Sequence, residues 1–257
     1  MNEWIKKSID LANSPHYLDN LHNIYPISEE TWRPIPIETK KTLEAAFSSD
    51  DNVALLIELL KLPKFPVNDP YVAFLRKNPK FITYNPATVN RIAQKVRSIG
   101  FKAMIEDIEE PKSSSRSMGI LFKTWLKKIG YPFFQESEFE KYNGVAFLEG
   151  GDKKLKDFAN NKLGFKLDKG LDIVAKVKGQ YIIGEAKFLT DYGGSQNASF
   201  EDAMRLLAAK GGRAIKIAIL DGVVWINNKS KMFRKISELN EIALSALLLK
   251  EFLESLG

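Results

Sequence analysis

The sequence predicts an α/β protein: a mixed central β-sheet flanked by helices, with a helical N-terminal region. Three observations carry this. Two period-2 alternations meet at Lys178-Gly179, the pattern of a β-hairpin. After an intervening helical stretch, residues 214–220 form a buried strand, the spacing of a right-handed crossover to a parallel strand. The first 80 residues instead hold helical segments broken by proline.

Within those 80 residues, segments 3–12, 37–48, 51–61 and 70–77 read as helices, the last with Asp69 as a cap before Pro70. Proline-rich pieces around Pro26, Pro34, Pro36, Pro63 and Pro66 connect them. The expected division is a helical region over 1–80, serving packing, dimerisation or as an arm for a partner, and an α/β core over 81–257.

The next helix is capped by Asn85, opened by Pro86 and stopped by Gly100. Val89, Ile92, Ala93, Val96 and Ile99 form its apolar stripe. Asn90, Arg91, Gln94, Lys95 and Arg97 line the other side. Such side chains contact base edges and phosphates, and they equally make an ordinary solvated face. Residues 111–130 carry Lys112, Arg116, Lys123, Lys127 and Lys128 with no acid, behind Ser113-Ser114-Ser115. This reads as a phosphate clamp or as a charged helix face.

Asp152 is read as the cap of a helix with Leu155, Phe158 and Ala159 inward, ending at Leu163-Gly164. Glu149 and Asp157 are two further acids near the hairpin. After the hairpin a Gly193-Gly194-Ser195-Gln196-Asn197 loop is expected, then a helix marked by Phe200, Ala203, Met204 and Leu207. A short strand over 223–226 and a long apolar helix over about 237–256 close the chain.

The hairpin carries the chemistry. With a two-residue turn at Lys178-Gly179, Val177 pairs with Gln180 and Asp172 falls opposite Glu185, with Lys187 on the same face. A three-residue turn with a bulge would shift this register by one. Carboxylates directly opposite in a sheet repel each other. A hard divalent cation removes that cost, since Mg²⁺ commonly takes one or two carboxylates plus substrate phosphate. A lysine beside them can orient or deprotonate an attacking water. The bland alternative is a surface hairpin with a charged outer face.

Composition sets the bounds. The chain has 257 residues, 44% hydrophobic and 27% charged, enough for one large or two modest cores. Cysteine is absent and the histidines are His16 and His22, which excludes disulfides and thiolate zinc and disfavours histidine-based sites. A net charge of +6 suits a polyanionic partner. No apolar run nears the roughly 20 residues of a membrane span, and the start, Met-Asn-Glu-Trp-Ile-Lys-Lys, is not a signal peptide. No membrane partner is expected.

Asp172, a spacer and Glu185-Ala-Lys187 on paired strands resemble the PD-(D/E)xK nuclease superfamily. The runs Phe147-Leu-Glu-Gly-Gly-Asp152, Phe158-Ala-Asn160, Lys169-Gly-Leu-Asp172 and Ile183 to Asn197 resemble type II restriction endonucleases within it, over roughly residues 80–210. Leu171 stands where the motif name has proline. The resemblance implies a restriction-endonuclease-like core and a Mg²⁺-dependent enzyme cutting double-stranded DNA at a short specific sequence. It implies 5′-phosphate and 3′-hydroxyl ends, a homodimer, a cognate DNA methyltransferase and a prokaryotic cytoplasmic location. Asp172, Glu185 and the Ala186 carbonyl would be metal ligands, and Lys187 would orient the water. Ser195, Gln196, Asn197, Arg205, Arg116, Lys123, Arg91 and Gln94 are the candidate DNA contacts. A repair or recombination nuclease of the same fold, or a non-catalytic DNA-binding protein, are the other readings.

Overall fold

A computed structural model describes residues 1–26, 34–110 and 118–257. They form two compact units: Met1–Ile27 with Ser113–Gly257, and Ser28–Lys112. These units do not part at residue 80. The first two helices belong with the sheet, and the helices between residues 81 and 110 belong with the helical unit.

The chain opens with α1 (Glu3–Ala12) and α2 (Tyr17–Ile24) of the sheet unit. The Asn2 side chain caps α1 by accepting the Trp4 N–H at 2.9 Å. Trp4 then packs edge-on against Phe252, at 5.3 Å between ring centroids, near the far end of the chain.

The helical unit comprises α3 (Ile37–Ser48), α4 (Asn52–Lys61), α5 (Val72–Lys77), α6 (Phe81–Tyr84), α7 (Pro86–Ile99) and α8 (Phe101–Glu109). Its core is built from Leu43, Leu55, Leu59, Ile92, Val96 and Met104. Val89, Ile92, Ala93 and Val96 of the α7 stripe are buried and Ile99 is half-buried, and Gly100, at φ 83°, lets α8 follow at once. Asn85 does not cap α7 through its side chain, which donates instead to the Phe81 carbonyl at 2.7 Å. Asp69 likewise holds the Tyr71 N–H, and α5 begins at Val72.

The polar side of α7 is largely spent within the unit. Arg91 forks onto the nearly buried Asp69. Arg97 donates to the Ser49 carbonyl at 2.6 Å, and Lys95 to the Asn68 carbonyl at 2.8 Å. These contacts tie α7 to the connections around it.

The sheet unit resumes with α9 (Met118–Leu126), β1 (Phe133–Phe134), α10 (Glu136–Lys141), β2 (Ala146–Leu148) and α11 (Asp152–Leu163). It continues through β3 (Ile173–Val177), β4 (Gln180–Leu189), α12 (Gly194–Ala208), β5 (Ile215–Gly222), α13 (Lys231–Ser237), β6 (Ile242–Leu244) and α14 (Leu249–Ser255). The six strands lie in sequence order; β3 runs antiparallel to both its neighbours, β2 and β4, and the pairs β1/β2, β4/β5 and β5/β6 are parallel. This is the expected mixed sheet. Ile173, Ala175 and Val177 enter one apolar cluster with Ile182 and Ile217, while Val174 and Ile183 enter another with Leu155, Phe158 and Leu206. Both faces of the hairpin are therefore covered.

Three expectations change here. The N-cap of α11 is Gly151, and Asp152 is its first helical residue. Residues 223–225 form a 3₁₀ turn rather than a strand. Gly222 ends β5 at φ 91°, where a side chain would meet the Leu189 carbonyl oxygen at 2.1 Å, and the Trp225 indole N–H folds back to the Leu220 carbonyl at 2.6 Å. The stretch 237–256 is not one helix. It holds β6, a 3₁₀ turn capped by Ser245 and α14, because apolar runs of this kind suit a buried strand as well as a helix.

Candidate active site

The site is built on the β3–β4 hairpin. Lys178 and Gly179 have φ of 45° and 88°, a turn with both central residues left-handed, and this matches the twist of the paired strands. The register follows: Val177 pairs with Gln180 and Ile173 with Gly184. Gly184 sits where a side chain would collide with Ile173 and Ile217, so the Gly-Glu-Ala-Lys run needs its glycine for packing.

The ladder stops one residue short of the expected Asp172–Glu185 pair. Asp172 lies just beyond β3, and its N–H donates to the Gly184 carbonyl at 3.1 Å. Its carboxylate turns across the hairpin, where Oδ2 accepts the Ala186 N–H at 2.9 Å. Lys187 hydrogen-bonds Glu185 and places its ammonium 3.9 Å from Asp172 Oδ2. Acid, acid and lysine thus share one face.

Electrostatics fit that geometry. Burial, and then the charge of Asp172, push Glu185 up to about 7. Burial opposes the charge on Lys187, but Glu185 and Asp172 outweigh it and raise its pKa above the ordinary lysine value. Lys187 is therefore an ammonium here, suited to orienting water and steadying negative charge rather than taking a proton.

A second lysine reaches Asp172. Lys123 on α9 hydrogen-bonds Asp152 and lies 3.5 Å from Asp172 Oδ1. Gly170 admits this neighbour, since a side chain there would lie 2.6 Å from Asp152 Cβ. A further acid stands on the far flank. Asp202 on α12 holds Lys169 and Arg205, and its charge contributes to raising both Glu185 and Lys187. A cleft bordered by Lys123, Lys127, Glu149 and Asp172 opens on one side of the hairpin, and a smaller one bordered by Lys169, Glu185, Asp202 and Arg205 on the other.

The remaining sequence candidates scatter. Ser195, Gln196 and Asn197 are not in a loop but form the first turn of α12; Ser195 and Asn197 are exposed, and Gln196 accepts the Thr190 N–H at 3.2 Å. Arg205, exposed on α12, is paired with Asp202. Glu149 pairs with Lys127 at 3.4 Å and Asp157 with Lys153 at 2.6 Å, so neither joins the carboxylate pair. Arg91 and Gln94 belong to the helical unit. Arg116 and the serine run lie outside the described residues. The roles of Asp152 and Asp202 carried no signal beyond an acid on a helix.

The donor set suits a hard cation. Among the described residues no group of three or more His, Cys, Asp or Glu gathers to hold a metal. Two carboxylates and an open cleft are what Mg²⁺ uses when substrate phosphate and water complete its shell. The mutual repulsion of Asp172 and Glu185 is the demand such an ion would meet.

No curated protein matches the sequence. The match to a family model is far wider than the 80–210 stretch that carries the motifs, and it favours restriction over the repair and non-catalytic readings. It runs over residues 2–256, and the chain belongs to the Tsp45I type II restriction enzyme family, whose members are site-specific deoxyribonucleases acting on DNA.

Proposed function

We propose that this chain is a Mg²⁺-dependent endonuclease of PD-(D/E)xK type in which Asp172, Glu185 and Lys187 carry phosphodiester hydrolysis. The observation behind this is the lysine held between two carboxylates on one face of the hairpin, with Glu185 pushed up by burial and by Asp172. Type II restriction enzymes generally need a divalent metal, and here the Asp172 and Glu185 carboxylates with the Ala186 carbonyl would hold it. When bound, Mg²⁺ supplies charge to the phosphate oxygens and acidifies its water. Lys187 orients the attacking water and offsets charge developing at phosphorus. In-line attack that expels the 3′ oxygen leaves 5′-phosphate and 3′-hydroxyl ends.

Ser195, Asn197 and Arg205 on α12, directly after the catalytic strand, are the proposed DNA contacts within the sheet unit. A two-fold recognition sequence calls for a homodimer with one site per strand. A methyltransferase protecting the same sequence is the functional partner. The test is to digest DNA of known sequence with Mg²⁺ and sequence the ends. Discrete 5′-phosphorylated ends at one short sequence support the reading; ends that depend on DNA structure, or cleavage retained by Lys187→Ala, reject it.

A further inference from the structure

The two oxygens of Asp172 have different neighbours. Oδ2 accepts the Ala186 N–H at 2.9 Å and faces Lys187 at 3.9 Å. Oδ1 faces Lys123 at 3.5 Å. Lys123 is also tied to Asp152 at the start of α11. Both ends of that tether are fixed. The buried Phe122 and Leu126 pin α9 on either side of Lys123, and the Leu171 N–H donates to the Asp152 carbonyl at 3.2 Å, drawing α11 onto the residues just before Asp172. A cation approaching Oδ1 therefore meets an ammonium already stationed there.

We infer that Lys123 is a resident competitor for the divalent cation at Asp172, parked by Asp152 so that it yields Oδ1 when the metal binds and remains beside the site as a positioning residue for the phosphate. The idea rests on Asp172 and Glu185 being the metal ligands. Two like cations cannot share one carboxylate oxygen without repulsion, so entry of the metal moves Lys123 onto Asp152 alone. The cleft bordered by Lys123 and Asp172 leaves room for a phosphate beside that retracted ammonium.

Calcium titration of the full chain without DNA, by calorimetry, reads the competition apart from catalysis. Lys123→Met is expected to bind Ca²⁺ about two- to fivefold more tightly than wild type, the scale of releasing one half-exposed ion pair. Asp152→Asn is expected to bind it more weakly, because Lys123 then has Asp172 as its main partner. A structural role for Lys123 predicts no such opposite shifts. Asp172→Asn is the reference and loses binding. Unchanged or weaker binding in a folded Lys123→Met overturns the competitor role while leaving the ligand assignment intact. Binding that survives Asp172→Asn, or is absent from wild type and Lys123→Met alike, overturns the ligand assignment and this inference together.

Discussion

Two regions of the same sheet each bury an acid, and they differ in what surrounds it. Glu185 on β4 and Asp221 on β5 are both pushed up to about 7, with burial as the leading cause. Around Glu185 stand charges, Lys187 and Asp172, and clefts open on both flanks of the hairpin. Around Asp221 stand neutral donors. Tyr25 donates to Oδ2 at 2.7 Å, Ser245 to Oδ1 at 2.5 Å, and the Ala246 N–H to both oxygens at 3.3 Å. Ser8 accepts the Ser245 N–H at 2.9 Å, which brings α1 into the same knot. Asp221 is fully buried. A raised proton affinity is thus common to both acids; neighbouring opposite charge and access set the proposed site apart. Asp221 stitches the N-terminal helices to β5 and β6.

The comparison breaks most easily at cleavage. Glu185→Ala and Lys187→Ala are each expected to lower the cleavage rate by about 10²- to 10³-fold, the scale of losing one electrostatic contribution to the transition state. Asp221→Asn is expected to cut at the wild-type rate per folded molecule. Single-turnover digestion of one plasmid substrate compares all three. Loss of cleavage in a folded Asp221→Asn would mean the knot serves the chemistry after all.

Stability is the reverse axis. Tyr25→Phe removes one donor to a buried carboxylate and is expected to cost about 1–3 kcal/mol. Urea midpoints measure it, and the cleavage rate of the folded fraction should not move. Tyr25 also packs edge-on against Phe188, at 4.9 Å, so the phenylalanine keeps the packing and isolates the hydroxyl.

The pH dependence of folding sharpens the same contrast. Asp221 titrates near 3.8 when unfolded and about 7 when folded, so the native state binds more protons between those values. Stability from this group is full below about 4 and is lost as pH rises through about 7. Glu185 contributes with the same sign from its unfolded value of 4.5. Asp221→Asn should therefore reduce the downward slope of stability against pH, measured by urea unfolding at several pH values, and leave the Glu185 part. An unchanged slope would show that Asp221 is ionised in the native state at all these pH values.

The hairpin was legible because alternation, a Lys-Gly pair and three charges fix a register in only a few residues. What the register did not contain was the end of the ladder before Asp172 and the approach of Asp152, from another element, to Gly170. Lys123 reads in sequence as one more cation in a basic run, and only the fold brings it to Asp172. Asp221 ends the apolar run from Ile215 and looks like a strand reaching solvent, whereas Tyr25, nearly 200 residues earlier, closes over it. The division at residue 80 failed for a similar reason. Leu55 and Leu59 share a core with Ile92 and Val96, while Trp4 packs with Phe252, and no local pattern announces such distant partners.

The smallest expected effect lies on the far flank of the site. Asp202 adds negative charge near Glu185 and so helps to raise its pKa, while its own is lowered by Lys169, then Arg205. In Asp202→Asn that negative charge is lost and Lys169 and Arg205 are released from it, so both changes favour ionised Glu185. As the proposed metal ligand, Glu185 must be ionised. The rise of cleavage with pH, measured at limiting Mg²⁺ where proton and metal compete, should therefore begin at lower pH in Asp202→Asn, by a fraction of a unit. Since Asp202 touches neither Asp172 nor Lys187 directly, the plateau rate should stay near wild type. A shift to higher pH would mean that Asp202 steadies the site by holding Lys169 and Arg205 in place, and that its own charge counts for less than the geometry it enforces.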